Sequence, residues 1–485
     1  MKKQSKHPVW ATKHKRKGTE LRLINGRYYL YEVTSKWNPE KKRPQKITGK
    51  LLGRITKEEG FVESEKAKLR KQQLAVSKLT VKEFGISSFI HSHLSEYIEL
   101  LKKHFPQHWK QILVLAYTRM AHHSPIKNVE FHYHHSYLSV LYEGLKLSPK
   151  QLSSFYREFG TQRENIVSFF REFKSDSDNI LFDGTDLLSR SKKMDITKLT
   201  KTKKGNFDTA SNIMFAFSTR LKLPLYYRVL PGNIKDIKAF KLSLDELNVK
   251  DSIVVADKGF YSKSNVDELQ KENVDFIIPL RRNNSLINYN DINTSDKSSF
   301  TSFFKFQERI IWYYTYKTKE GLTVNVYLDE ELKTEEIKDY LNRIETHPEK
   351  YNMNTFFEKQ NKFGTITILH NTGKKPEDVY INYKSRNQIE EMIDVMKNIL
   401  EADKSYMQNE QALETWMFIN HITLHWYYKI YQLLADYNLT KKYAPMDFLM
   451  FLKEVKKVKV NSKWYIAEMT NKTEKLLKSL NIDIT

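Results

Sequence analysis

Cysteine is absent from the 485-residue sequence, which excludes disulfides and thiolate metal sites and fits a reducing cytosol. Long apolar runs are missing as well. The longest candidates are short, such as Ile112–Tyr117, and none approaches the roughly eighteen residues of a membrane span. Met1–Lys17 is basic but is not followed by an apolar stretch, so it reads as a basic arm rather than a secretory signal. There is no internal repeat and nothing resembling a long disordered tract. Acidic residues are outnumbered: 58 Asp and Glu against 81 Lys and Arg leave a net charge of +23. That surplus points to a polyanionic partner such as nucleic acid. Composition with 40% hydrophobic and 13% aromatic residues supports real cores. The length predicts two to four domains. The expectation is a cytoplasmic protein associated with nucleic acid.

Leu21–Val33 and Lys46–Ile55 alternate apolar with polar residues around the Pro/Lys-rich stretch Trp37–Pro44, predicting a small β unit. Thr80 and Glu83 have capping-box spacing before a helix running to about Leu101. Ser148, Pro149 and Gln151 open another helix, which Gly160 can end in the left-handed conformation, and Thr161 with Glu164 opens the next. The pair is either a helix-turn-helix, with Lys150, Arg157, Arg163 and Arg171 meeting phosphates, or a packed helical hairpin.

From Asn179 short strands take over: Ile180–Leu188, Asn212–Ser218, Leu225–Leu230, Ile253–Asp257 and Phe276–Leu280, with helical stretches Lys238–Leu247 and Ser264–Lys271 between the later ones. This pattern predicts an α/β mixed sheet flanked by helices. About a hundred residues follow before the next motif and carry strands Arg309–Lys317 and Leu322–Leu328, which reads as a β-rich insertion rather than a loop. The expected domains are a basic arm and β unit (1–78), a helical region with the candidate phosphate-contacting pair (79–176), an α/β core (177–282 and 376–438), the insertion (283–375) and a basic tail (439–485).

Acidic residues stand against apolar elements in three places. Asp183 shares a strand face with Leu181 and Thr185, where a carboxylate is costly unless a cation pairs with it. Asp186 is its competitor on the other face. Asp257 ends the run Ile253–Ala256, at the carboxyl end of a buried strand where ligand-binding residues commonly sit. Treated as one helix at about 100° per residue, Tyr383–Leu400 puts Tyr383, Arg386, Glu390 and Lys397 in a stripe about 60° wide bordering the apolar face. A carboxylate flanked by cations and a phenol suits a metal-bound phosphate. Asp394 is the rival ligand on that face.

Asp183-Gly184-Thr185, Asp257-Lys258-Gly259-Phe260, and Tyr383, Arg386, Glu390 and Lys397 at this spacing resemble the signature of the cut-and-paste DDE transposases of bacterial insertion sequences. The resemblance spans about Asn179–Tyr437. It implies an RNase H-like catalytic core with Asp183 and Asp257 on adjacent strands and Glu390 on a following helix. It also implies two Mg²⁺ ions on these three carboxylates, with Mn²⁺ substituting, and a homodimer bridging two transposon ends. The implied substrates are double-stranded inverted-repeat DNA and target DNA, inside a bacterial cytoplasm at the nucleoid. Arg386 and Lys397 would hold phosphates, Tyr383 would contact the DNA end, and Lys258 would approach DNA. Relatives that form a DNA hairpin use an aromatic wedge, for which Trp312 is the candidate, against an ordinary core tryptophan.

His122, His123, His132, His134 and His135 form the densest histidine group, but without ordered spacing they read as structural rather than as a zinc site. His421 and His425 read as packed or DNA-facing. Gly232-Asn233 reads as a turn that could line the site. The rival functions are an RNase H-fold endonuclease without strand transfer and a non-catalytic DNA-binding protein.

Overall fold

The structure, a computed structural model, describes residues 7–39, 41–76, 79–174, 177–201, 206–232, 236–248, 252–460 and 463–484. Asn233 lies outside them. The chain divides into two compact units: Met1–Lys82 with Val455–Glu468 and Thr485, and Glu83–Glu454 with Met469–Ile484.

The first unit holds an antiparallel sheet in the order β1 (Thr19–Ile24), β2 (Arg27–Asn38), β3 (Arg43–Thr56) and β4 (Gly60–Glu63). Asn25 and Gly26, with φ of 49° and 76°, make the two-residue turn between β1 and β2. Ala11, Leu21, Leu30 and Ile55 form its small core. Leu21–Val33 covers parts of β1 and β2 and Lys46–Ile55 falls in β3, and Trp37–Pro44 does not separate two strands as a linker. Trp37 pairs with Pro44 at the far end of a long β2–β3 hairpin. A second sheet joins β5 (Thr80–Glu83) to β17 (Lys456–Val460) and β18 (Lys463–Ile466). Thr80 is therefore a strand residue. Glu83 provides the cap, its carboxylate accepting from Ile86 N at 2.6 Å and Ser87 Oγ at 3.0 Å. Residues 439–485 are likewise no loose tail: they hold the helix Pro445–Glu454, β17, β18 and the helix Asn471–Ser479.

The second unit is mixed α/β around one large sheet. Its strands are β6 (Asn179–Ser189), β7 (Lys198–Lys201), β8 (Phe207–Ser218), β9 (Leu223–Pro231), β10 (Ile253–Ala256) and β11 (Asp275–Leu280). They continue as β12 (Ser302–Phe306), β13 (Arg309–Lys317), β14 (Thr323–Asp329), β15 (Thr365–His370) and β16 (Lys404–Ser405). The order is β12-β13-β14-β15-β11-β10-β6-β8-β7, with β9 also on β8 and β16 also on β6. The expected insertion is thus no separate layer. Its strands extend the same sheet, because β15 pairs antiparallel with both β11 and β14.

Each face is covered by helices whose aromatic residues meet the strands. On one face Phe182 of β6 meets Phe240 of the helix Asp236–Leu247, with ring centroids 5.2 Å apart. On the other, Tyr327 of β14 meets Tyr380 of the helix Pro376–Lys384 at 4.9 Å.

The long helix Glu410–Asp436 is buried along most of its length. Pro149–Phe159 packs so closely on it that a Cβ on Gly160 would sit 1.8 Å from the Gln411 carbonyl oxygen. Gly160 has φ −65°, so close approach, not a left-handed turn, requires glycine here. Phe159, Phe169 and Phe170 all face Phe418. Arg163 is held between Glu246 (2.5 Å) and Glu414 (2.7 Å), and Arg171 donates to the Glu246 carbonyl. The two helices of 149–171 are therefore a packed hairpin, with two of the four suggested phosphate contacts committed internally. Among the described residues no helix is long and apolar enough to cross a membrane.

Candidate active site beside β6 and β10

β10 runs parallel to β6 in a register that pairs Ala256 with Phe182. The next residue on each strand is an aspartate, Asp257 and Asp183. Since Phe182 meets the Asp236–Leu247 helix and strand side chains alternate, Asp183 leaves the opposite face. That is the face on which the helix Asn387–Asp394, carrying Glu390, packs against β6 and β8. Asp183 is buried, with 7% of its surface exposed, and its Oδ1 accepts from Gly184 N at 2.9 Å. Asp257 opens a 3₁₀ turn, Lys258–Phe260, so its side chain leaves at the mouth of the sheet.

Arg386 joins the other two carboxylates. Its Nη2 hydrogen-bonds Glu390 Oε1 and lies 3.8 Å from Asp257 Oδ1. The Arg386 side chain is 15% exposed, while those of Asp257 and Glu390 are 32% and 49% exposed, so the acids open to solvent more than the cation between them does. Tyr383 stands in the same group. Burial pushes its phenol pKa up, Arg386 opposes the shift, and Asp257 and Glu390 reinforce it. The phenol therefore stays protonated and able to donate. An Asn179–Asn382 hydrogen bond of 2.9 Å ties the Tyr383-bearing helix to the start of β6.

The backbone of 376–400 departs from one regular helix. Pro376–Lys384 ends at a tight turn in which Arg386 N bonds Tyr383 O and Gln388 N bonds Ser385 O. Asn387–Asp394 then passes into a π turn, Val395–Ile399, closed by Leu400 N to Val395 O. Overwinding and underwinding invalidate a constant 100° step. Tyr383, Arg386 and Glu390 nevertheless come together. Lys397, on the π turn, lines a cavity of about 560 Å³ with Arg119, His123, Asp403 and Trp416. Of the rival acids, Asp394 accepts from Asn398, and Asp186 occupies the alternate face of β6, opposite Asn212 of β8.

Lys258 and Tyr383 line another cavity, of about 620 Å³, together with Arg281 and Arg282. Arg282 is anchored to Glu336 at 2.8 Å and to the Thr365 carbonyl at 3.0 Å, whereas Arg281 is exposed. Sequence reasoning missed these two arginines. The signal was available: they immediately follow β11, at the same carboxyl edge as Asp257.

Trp312 is not among the assembled residues. Reading the register across β13, β14, β15, β11, β10 and β6 puts Tyr313 and Tyr327 on the Asp183 face and Trp312 on the other. There its ring lies 5.2 Å from that of Phe303. The histidines are structural in setting: His122 stacks on His132 at 4.0 Å, and His421 and His425 are buried 3.1 Å apart between Nε2 atoms.

Asp183, Asp257 and Glu390 offer only hard oxygen donors, which suit Mg²⁺. Asp257 and Glu390 already converge on a single cation, the Arg386 guanidinium, so the pair fits a metal ion. Among the described residues, no three His, Asp or Glu side chains are drawn into a ready-made metal cluster.

The model of the family described as "Transposase DDE domain" matches residues 174–426, more than half of the chain. The chain belongs to this family of DDE transposases. No curated protein matches it. Among solved structures, the piggyBac transposase synaptic complex with hairpin DNA is similar, at 11% identity and a TM-score of 0.37, covering 71% of this chain and 69% of that one.

Proposed function

We propose that the chain is the transposase of a bacterial insertion sequence, with an RNase H-like core that cleaves DNA at the terminal inverted repeats and joins the freed ends to target DNA. Two observations support this reading: Asp183 and Asp257 directly follow the paired Phe182 and Ala256 on neighbouring parallel strands, and Arg386, with Tyr383 beside it, links Asp257 to Glu390. The three carboxylates would hold two Mg²⁺ ions, which Mn²⁺ would replace, and when bound these activate a water or hydroxyl and stabilise the leaving oxygen. Arg386 would exchange its carboxylate partners for a phosphate of the scissile strand, holding two oxygens at fixed geometry. Tyr383 would donate a hydrogen bond to a neighbouring phosphate oxygen, keeping its proton. Lys258 and Arg281 would track the backbone entering the site. A homodimer would pair the two ends.

The test is incubation with duplexes carrying the inverted repeats that flank the coding region, plus a target plasmid, in Mg²⁺ or Mn²⁺. The wild type should cut and join. Glu390→Gln should bind the ends as well as or better than the wild type, having lost a negative charge, and should not cut. Cleavage without joining would favour an endonuclease, and binding without cleavage in either metal a non-catalytic DNA-binding protein. Full cleavage by Glu390→Gln would transfer the ligand role to Asp394.

A further inference from the structure

The β2–β3 hairpin extends beyond the sheet that anchors it. β1 accompanies β2 only as far as Glu32, and β4 meets β3 only from Gly53 onward. Between them Val33–Asn38 pairs with Arg43–Thr48 in six rungs, a two-stranded ribbon with neither edge covered. Its length is about 20 Å at ~3.4 Å per residue. From Thr34 to Trp37 and from Arg43 to Ile47 every residue is exposed, so neither face rests on a core.

Such a ribbon gains little from burial and is marginal by itself, and its composition does not resemble mere edge protection. One lysine on each free edge is enough to discourage strand addition. Here Lys36, Lys41, Lys42, Arg43 and Lys46 crowd residues 36–46, whose acid is Glu40. Lys46 is engaged with Glu20 at 2.5 Å, but among the described residues no carboxylate pairs with Lys36, Lys41, Lys42 or Arg43. Trp37, 61% exposed, sits among these cations near the tip. An exposed indole disfavours solubility, and surrounding it with cations suits a surface that is both anionic and stacked.

We propose that the ribbon is a DNA-binding arm that lies in the major groove of duplex DNA. Lys36, Lys41, Lys42 and Arg43 meet backbone phosphates, and Trp37 packs on sugar or base edges. A two-stranded ribbon matches the width of that groove. The arm deepens the transposase reading and rests on it for its biological substrate, while the charge and shape stand independently.

The test measures full-length protein binding to a short fluorescein-labelled duplex across a salt series. Replacing both Lys42 and Arg43 with alanine should weaken binding and make the dependence of log K on log salt shallower by about two units. Trp37→Ala should weaken binding several-fold with the slope unchanged, since the contact it removes carries no charge. These side chains are exposed, so circular dichroism should match the wild type. Wild-type affinity and slope in both variants would overturn the proposal. So would loss of self-association by light scattering with DNA binding intact, which would make a second copy of the chain the occupant. Metal-dependent cleavage separates the two readings: an intact cutter with neutral ribbon variants rejects the arm alone, and a non-cutter with weakened ribbon variants rejects the transposase reading alone.

Discussion

Asp257 and Glu390, far apart in the chain, share one guanidinium, that of Arg386. The arginine neutralises two carboxylates that would otherwise face each other. Arg386→Ala should therefore lower the urea midpoint in EDTA, and Mg²⁺ or Mn²⁺ should raise the midpoint more in the variant than in the wild type, because a bound cation replaces the missing one. Equal metal responses in the two proteins would argue against a shared cation position.

The cations around the site are not equivalent. Arg386 touches both acids, Lys258 and Arg281 line the adjoining cavity, and Lys397 lines a different one. In a salt titration of binding to end DNA, Lys258→Ala and Arg281→Ala should each make the log K–log salt slope shallower by about one unit. Arg386→Ala should cost more affinity than Lys397→Ala. A Lys397→Ala effect equal to that of Arg386→Ala would restore Lys397 to the phosphate-holding stripe.

His421 and His425 should make the fold acid-sensitive. Burial holds the His421 pKa well below its ordinary 6.5 and brings that of His425 down to about 3. Below pH 6.5 the unfolded chain takes up protons that the folded chain refuses, so their contribution to stability is full above that value and is lost as pH falls. Each costs about 1.4 kcal/mol per pH unit in this range. His421→Phe removes a buried Nδ1 that has no hydrogen-bond partner among the described residues but also takes the 3.1 Å partner from His425 Nε2, so near pH 7 the two effects oppose each other. It should reduce the drop in urea midpoint between pH 7 and pH 5. An unchanged drop would refute this.

Gly160→Ala should destabilise the second unit, because the new methyl group would meet the Gln411 carbonyl on the long central helix. Overpacking of this kind costs about 1–3 kcal/mol. A melting temperature equal to the wild type would show that the helices can separate without cost.

Local patterns carried much of this structure. The apolar run Ile253–Ala256 and the alternation around Asp183 identify two strands and two carboxylates because both signals are confined to a few residues. Tyr383, Arg386 and Glu390 came together despite an irregular helix, whereas Lys397 did not join them by any local rule. Apolar spacing carries no sign of a π turn. Arg163 looked free for phosphate because its partners, Glu246 and Glu414, lie 83 and 251 positions away. The union of the insertion with the main sheet was hidden for the same reason: Ile277 meets His370 only after a long excursion of the chain.

Strand β5 finds its neighbour β17 only several hundred residues further along the chain, at Lys456–Val460. The first unit therefore cannot complete its second sheet until Lys456–Val460 has been made, and its closing step is non-local. Chains terminated before Val455 would present the Thr80–Glu83 edge without its natural neighbour. Unpaired edges of that kind promote association, so prematurely terminated products should aggregate rather than compete with the finished protein for DNA.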